Sequence, residues 1–231
     1  VNKGPTFDRF QQALLDSVSG VVPTPEMKAA FNEDLLSESG AKERNPFSDS
    51  QGEYRFKRLA FSFVMARQAL ISSASTREVI LRLASLPLSE RAHIVFIQSW
   101  DSQYTARERL RNLVDLLKLS PCAAGLEADI KKAMATYKKQ SDRILYARHR
   151  HTHEYDAHHP LVEQLKTLEL LTSDAVADKN FVALMTSQRK DAERRTKRAL
   201  IQELKEQEER FLTLTDQAFE NVFSLPSKWP F

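Results

Sequence analysis

Residues 147–160 read ARHRHTHEYDAHHP and hold five of the six histidines in a chain of 231 residues. Imidazole titrates within reach of neutral pH, so it moves protons, and its ring nitrogens also ligate metals. Three readings are open for the cluster: a solvated polar connector, a metal site, or an acid/base centre. A connector needs nothing beyond polarity. A zinc site would use His149, His151 and His153, which share one side of an extended segment, with Asp156, His158 or His159 completing the set. The familiar spacing is missing, since no H-E-x-x-H occurs and the single cysteine, Cys122, lies far upstream. The acid/base reading starts from RNA cleavage without a metal. That reaction requires a base of near-neutral pKa to activate the 2′-hydroxyl and a cation to hold charge growing on the phosphate oxygens. His153 supplies the first and Arg148, permanently charged and planar, the second. His149, Arg150, His151 and Glu154 are the supporting polar groups around them. On this reading neither a metal nor a cofactor is expected.

Arg148, four residues, His153, one residue and Tyr155 resembles the Arg-x4-His-x-Tyr form of the Arg-x4-6-His motif of HEPN ribonucleases. The resemblance covers residues 53–215 and implies an all-α helical bundle of the kind found in bacterial defence and toxin–antitoxin systems. It implies RNA as the partner, a homodimer whose cleft carries the site, His153 as acid/base, Arg148 as phosphate clamp and Tyr155 assisting. In HEPN toxins paired with a nucleotidyltransferase antitoxin the equivalent tyrosine is adenylylated, so such an antitoxin is implied as a further partner. His149 departs from the family, whose members often carry Asn after the Arg. Two rivals stand beside the nuclease: a non-catalytic HEPN-like module binding nucleotide or protein, and a metal-binding helical protein using the histidine cluster.

On one unbroken helix, Arg148 and His153 would be separated by about 140° around the axis, too far to share a phosphate easily. Either a helix break between them or a two-fold dimer, which the resemblance implies, would bring such groups together, and both are expected. Arg143 with His149 is a competing pair that lacks the Tyr, and His93, alone beside Arg91, reads as structural. Tyr155 also reads as an amphipathic residue covering the edge of a bundle.

Helices must position these groups. Only five glycines occur, and Ala, Leu, Glu, Lys, Gln and Arg abound, which lose little side-chain freedom in a helix. Phe7, Phe10, Leu14 and Val18 recur at helical spacing, a second helix is expected at Thr24 and Pro25, and Ser37 to Gly52 reads as a loop. That makes residues 1–52 a segment of extra N-terminal helices and loop, and 53–231 the HEPN-like bundle. From Glu53 a wide apolar stripe runs to Ile71, and Thr76 to Leu86 predicts a separate short helix stopped by Pro87. Ser89 is expected to cap a segment reaching Leu119, with a break open near Ser99 to Ser102. Pro121 to Arg148 forms the next helix, His159 and Pro160 open another through Leu171, and Asp178 starts a long C-terminal helix of about forty residues.

The net charge is +3 with 28% charged residues, so no general basicity demands nucleic acid. The charge is uneven, because residues 1–50 hold five Lys/Arg against eight Asp/Glu and the remainder must be basic. SQRKDAERRTKRALIQELKEQEER, in the last helix, is basic first and acidic later; it reads as a solvated helix with ion pairs or as a strip touching RNA phosphates. A lone Cys122, expected to be packed beside Ala123 and Ala124, excludes an intrachain disulfide and fits a reducing, cytoplasmic compartment. No apolar run reaches the length of a membrane span and no signal-peptide core is present, so no membrane partner is expected. A chain opening on Val1 rather than Met is expected where a leader or tag has been removed.

Overall fold

A computed structural model of the protein describes residues 5–18, 50–83, 85–154, 160–173, 178–224 and 229. Among the described residues every regular element is a helix: α1 Pro5–Val18, α2 Ser50–Arg82, α3 Leu88–Leu117, a 3-10 turn Pro121–Ala123, α4 Glu127–Glu154, α5 Pro160–Leu171 and α6 Lys179–Phe223. The all-α class and the long C-terminal helix follow from this order, and no described helix is long and apolar enough to cross a membrane. The helix expected at Thr24 and residues 37–49 of the loop expected over Ser37 to Gly52 lie outside the described residues, whereas Ser50 to Gly52, the expected end of that loop, already form the first turn of α2.

Local chemistry explains most boundaries. Asp178 caps α6, its Oδ1 accepting from the backbone N–H of Asn180 at 2.9 Å and Phe181 at 3.1 Å, and Pro160 occupies the first position of α5. Several expected boundaries are corrected. The short helix at Thr76 is the end of α2, which starts at Ser50 and runs 33 residues without interruption. Ser72 and Ser73 return their hydroxyls to the carbonyls of Ala69 and Leu70, so the serine-rich stretch bonds within the helix rather than ending it. The break near Ser99 to Ser102 is also absent: α3 is continuous, Ser102 Oγ donating to the Gln98 carbonyl at 2.8 Å.

Ser89 is the second residue of α3 rather than its cap. It is held instead by Glu169 of α5, whose carboxylate accepts from Ser89 Oγ and from the Ser89 N–H, placing negative charge at the positive end of α3. The helix expected from Pro121 begins only at Glu127. Before it, Ser120 Oγ accepts from the Cys122 N–H, and the chain turns through Gly125 at φ +83°, a conformation that suits glycine. Cys122 faces solvent in that turn and Ala123 is the buried residue, so the packed cysteine expected from its neighbours is corrected.

The chain divides into two compact units, neither of them a continuous stretch. The first comprises Val1–Met65, Glu108–Tyr137 and Thr215–Phe231. Its core is aromatic. Phe7 and Phe10 from α1 meet Phe56 and Phe63 from α2 and Phe219 and Phe223 from α6; Phe10 lies 5.0 Å from Phe219 and 5.1 Å from Phe223 between ring centroids. Phe219 and Phe223, one turn apart, stack at 4.4 Å. Edge-on and offset contacts of this kind add about 0.5–1.5 kcal/mol each beyond simple burial.

The second unit comprises Ala66–Arg107 and Lys138–Leu214. Two apolar clusters fill it. The larger joins Leu81, Leu88, Ala92, Val95, Phe96 and Trp100 to Val162, Leu165, Ala192, Leu200 and Leu204. The smaller joins Leu70 and Ala106 to Phe211 and Leu212. In register between them on α2, α3 and α6 stand Ser73, Arg77, Ser99, Gln103 and Glu208, all buried.

Candidate functional site

Arg148 and His153 occupy the last two turns of α4. That half of the helix belongs to the second unit, where Asp142 on α4 pairs with Arg107 on α3 and Ser141 is buried. With a rise of about 1.5 Å per residue, position 148 stands about 9 Å along α4 from that anchor. The helix does not stop at Arg148 as expected from sequence; it continues through His149, Arg150, His151 and His153 to Glu154. Nothing in this stretch is a strong helix breaker, since proline and glycine are both absent until Pro160.

Continuity has a geometric consequence. The break expected between Arg148 and His153 is absent, and the two positions are about 140° apart around one helix. His149 and His153 are one turn apart and share a face; Arg150 and Glu154 share another. The side chains from position 147 to 154 lie outside the described residues, as do Tyr155, Asp156, His158 and His159 altogether. Close before them, Tyr146 on the same helix is 60% exposed, an aromatic ring that sequence reasoning passed over. His93 is exposed on α3. Among the described residues no three His, Cys, Asp or Glu side chains are grouped for a metal ion.

Sequence reasoning also missed the polar layer inside the second unit. Glu208 lies within a segment that reads as solvated, yet it falls in register with Leu200, Leu204, Phe211 and Thr215, spaced three and four residues apart on the buried face of α6. That register was the available signal. Glu208 Oε1 accepts from Arg77 Nη1, from Ser99 Oγ at 2.8 Å and from Ser73 Oγ at 3.4 Å. Arg77 Nη1 reaches Ser73 Oγ at 2.7 Å, and Gln103 Nε2 donates to Ser99 Oγ at 3.2 Å. Burial pushes the Glu208 carboxyl above its ordinary value. The Arg77 charge, together with hydrogen bonds from Ser99, Arg77 and Ser73, pulls it part of the way back. The group thus ties α2, α3 and α6 together within one unit; buried in this way, it braces the bundle and is not presented to a substrate.

The chain matches no protein-family model, no curated protein and no solved structure.

Proposed function

We propose that this protein is a metal-independent endoribonuclease of the HEPN type, active as a two-fold dimer, with RNA as substrate. The observation that carries the reading is the Arg-x4-His-x-Tyr spacing, which begins on the last two turns of a long helix in an all-helical chain. The exposed ring of Tyr146 beside it adds support, because an unpaired base stacks readily on such a face.

In the proposed reaction His153 accepts the proton of a ribose 2′-hydroxyl, the 2′-oxygen attacks the adjoining phosphorus, and the bond from phosphorus to the 5′-oxygen breaks. That oxygen departs with a proton returned by imidazole, leaving a 2′,3′-cyclic phosphate and a 5′-hydroxyl. Arg148 offsets charge on the phosphate oxygens, and Tyr155 assists. Since 140° separates the two positions within one helix, the site is composite: Arg148 of one protomer works with His153 of the second. A nucleotidyltransferase antitoxin acting on Tyr155 belongs to the same proposal, as does a bacterial cytoplasmic setting.

The same angular separation favours a second reading, a non-catalytic helical module that binds nucleotide or protein. Incubation of the dimer with single-stranded RNA in EDTA distinguishes the two. On the nuclease reading, cyclic-phosphate ends accumulate and Arg148→Ala or His153→Ala lowers the rate about 10²–10⁴-fold. Mixing the two inactive variants restores about a quarter of the activity, because half the dimers are mixed and each mixed dimer holds one intact composite site. No cleavage at any protein concentration refutes the nuclease and leaves the binding module; cleavage without restoration refutes the composite site.

A further inference from the structure

We infer that the exposed face of α6 between Lys190 and Arg198 binds the phosphate backbone of single-stranded RNA, an inference that rests on the ribonuclease reading for its choice of polyanion. Residues 189–198 contain six Lys/Arg and two Asp/Glu. Two of the cations are matched within the helix, Arg189 with Glu193 at 2.8 Å and Arg194 with Asp191 at 3.8 Å. Lys190, Arg195, Lys197 and Arg198 have no carboxylate partner among the described residues, Arg195 donating only to the main-chain carbonyl of Asp191.

The arrangement is one-sided. Ala192, Thr196 and Leu200 are buried. Away from them, Lys190, Arg194 and Arg198 are exposed and Lys197 is half-buried, the four falling within about 100° of the helix circumference. The next turns of the same helix are the internal contrast. There Lys205 meets Glu209 at 4.0 Å and Arg210 meets Glu206 at 3.5 Å, so each cation is answered by a carboxylate one turn away. Between 190 and 198 the two carboxylates are outnumbered, and several neighbours one turn apart are of like charge: Lys190 with Arg194, Arg194 with Lys197 and Arg198, and Arg195 with Arg198. Such pairs oppose helix formation by about 0.2–0.5 kcal/mol each, a cost relieved when a polyanion lies along the face. Exposed positions from Ser187 to Ala199 include no apolar side chain larger than alanine, whereas a helix that enters a lipid surface sets large apolar groups beside its basic ones. Arg195 and Arg198 add planar donor forks suited to phosphate oxygens.

The experiment uses the full chain carrying His153→Ala, so that RNA stays intact, and reads anisotropy of a labelled single-stranded RNA over a salt series. Expected is binding that weakens with salt. Adding Lys190→Gln, Arg195→Gln, Lys197→Gln and Arg198→Gln makes the slope of log K against log salt shallower by about 3 units and weakens binding at least about tenfold near 0.1 M salt. Glutamine keeps helix propensity, and an unchanged helical circular-dichroism spectrum verifies the fold. Absence of RNA binding, an unchanged slope in the quadruple variant, or tighter binding to phosphatidylserine vesicles or polyglutamate overturns the inference. Cleavage is scored separately in the chain without His153→Ala: a protein that holds RNA through this face but cuts none refutes the nuclease and leaves the surface standing.

Discussion

Replacing Glu208 by alanine removes the acceptor shared by Arg77, Ser99 and Ser73, and leaves the Arg77 guanidinium buried with Ser73 Oγ as its remaining partner in the layer. A buried charge deprived of its counterion costs about 3–5 kcal/mol, a large part of the 5–15 kcal/mol that ordinarily separates folded from unfolded states. For a chain of this length the melting temperature should fall by about 6–20 °C. Replacing both partners with apolar groups of similar volume, Arg77→Met with Glu208→Leu, should cost far less than Glu208→Ala alone, because no charge is stranded. The sign with pH is also set. Burial raises the folded-state carboxyl above its ordinary value of 4.5, so the folded chain holds that proton more tightly than the unfolded chain does. This contribution to stability is complete below the unfolded value and is lost as pH rises through the folded one. The deficit of Glu208→Gln relative to the parent should therefore shrink as pH climbs from 4.5. Urea unfolding followed by circular dichroism across that range measures all three variants. A loss under about 1 kcal/mol for Glu208→Ala, or a double variant worse than the single one, would refute the buried pair.

Phe219→Ala, at the meeting point of Phe7, Phe10, Phe63 and Phe223, should cost about 3–5 kcal/mol in urea unfolding, and Phe219→Leu clearly less. Asp178→Ala should destabilise by about 1 kcal/mol through loss of the α6 cap, with Asp178→Asn recovering most of it in thermal melts. Cys122 should react with a thiol reagent in the native protein at one equivalent per chain, without a preceding unfolding step; a thiol masked until denaturant is added would contradict its exposed position.

Much of the helical architecture was legible because its signals are local. Asp178 before an apolar repeat, Pro160 at a first turn and the Phe7, Phe10, Leu14 spacing each depend on residues within a turn or two. The Arg-x4-His-x-Tyr spacing is local too and suggests a chemistry, but the helix beneath it was expected to stop at Arg148 and instead runs to Glu154. Where polar residues interrupt a stripe, locality fails. Ser72 and Ser73 look like a boundary but bond back into α2, and Ser99 looks like a break but is consumed by Glu208 more than a hundred residues away.

By itself the sequence settled that the chain is helical and where several helices start, and it offered Arg148 and His153 as candidates for phosphate binding and proton transfer. Tertiary structure alone decided that α2 and α3 run unbroken, that Glu208 is buried against Arg77 rather than solvated, and that α1 supplies rings to an aromatic core. It also decided that α4 carries positions 148 and 153 on one continuous helix. The physical reason is range. Propensity, capping and periodicity act within a few residues, whereas the partner of a buried polar group, and the continuation of a helix through a polar stretch, depend on what distant segments bring to it.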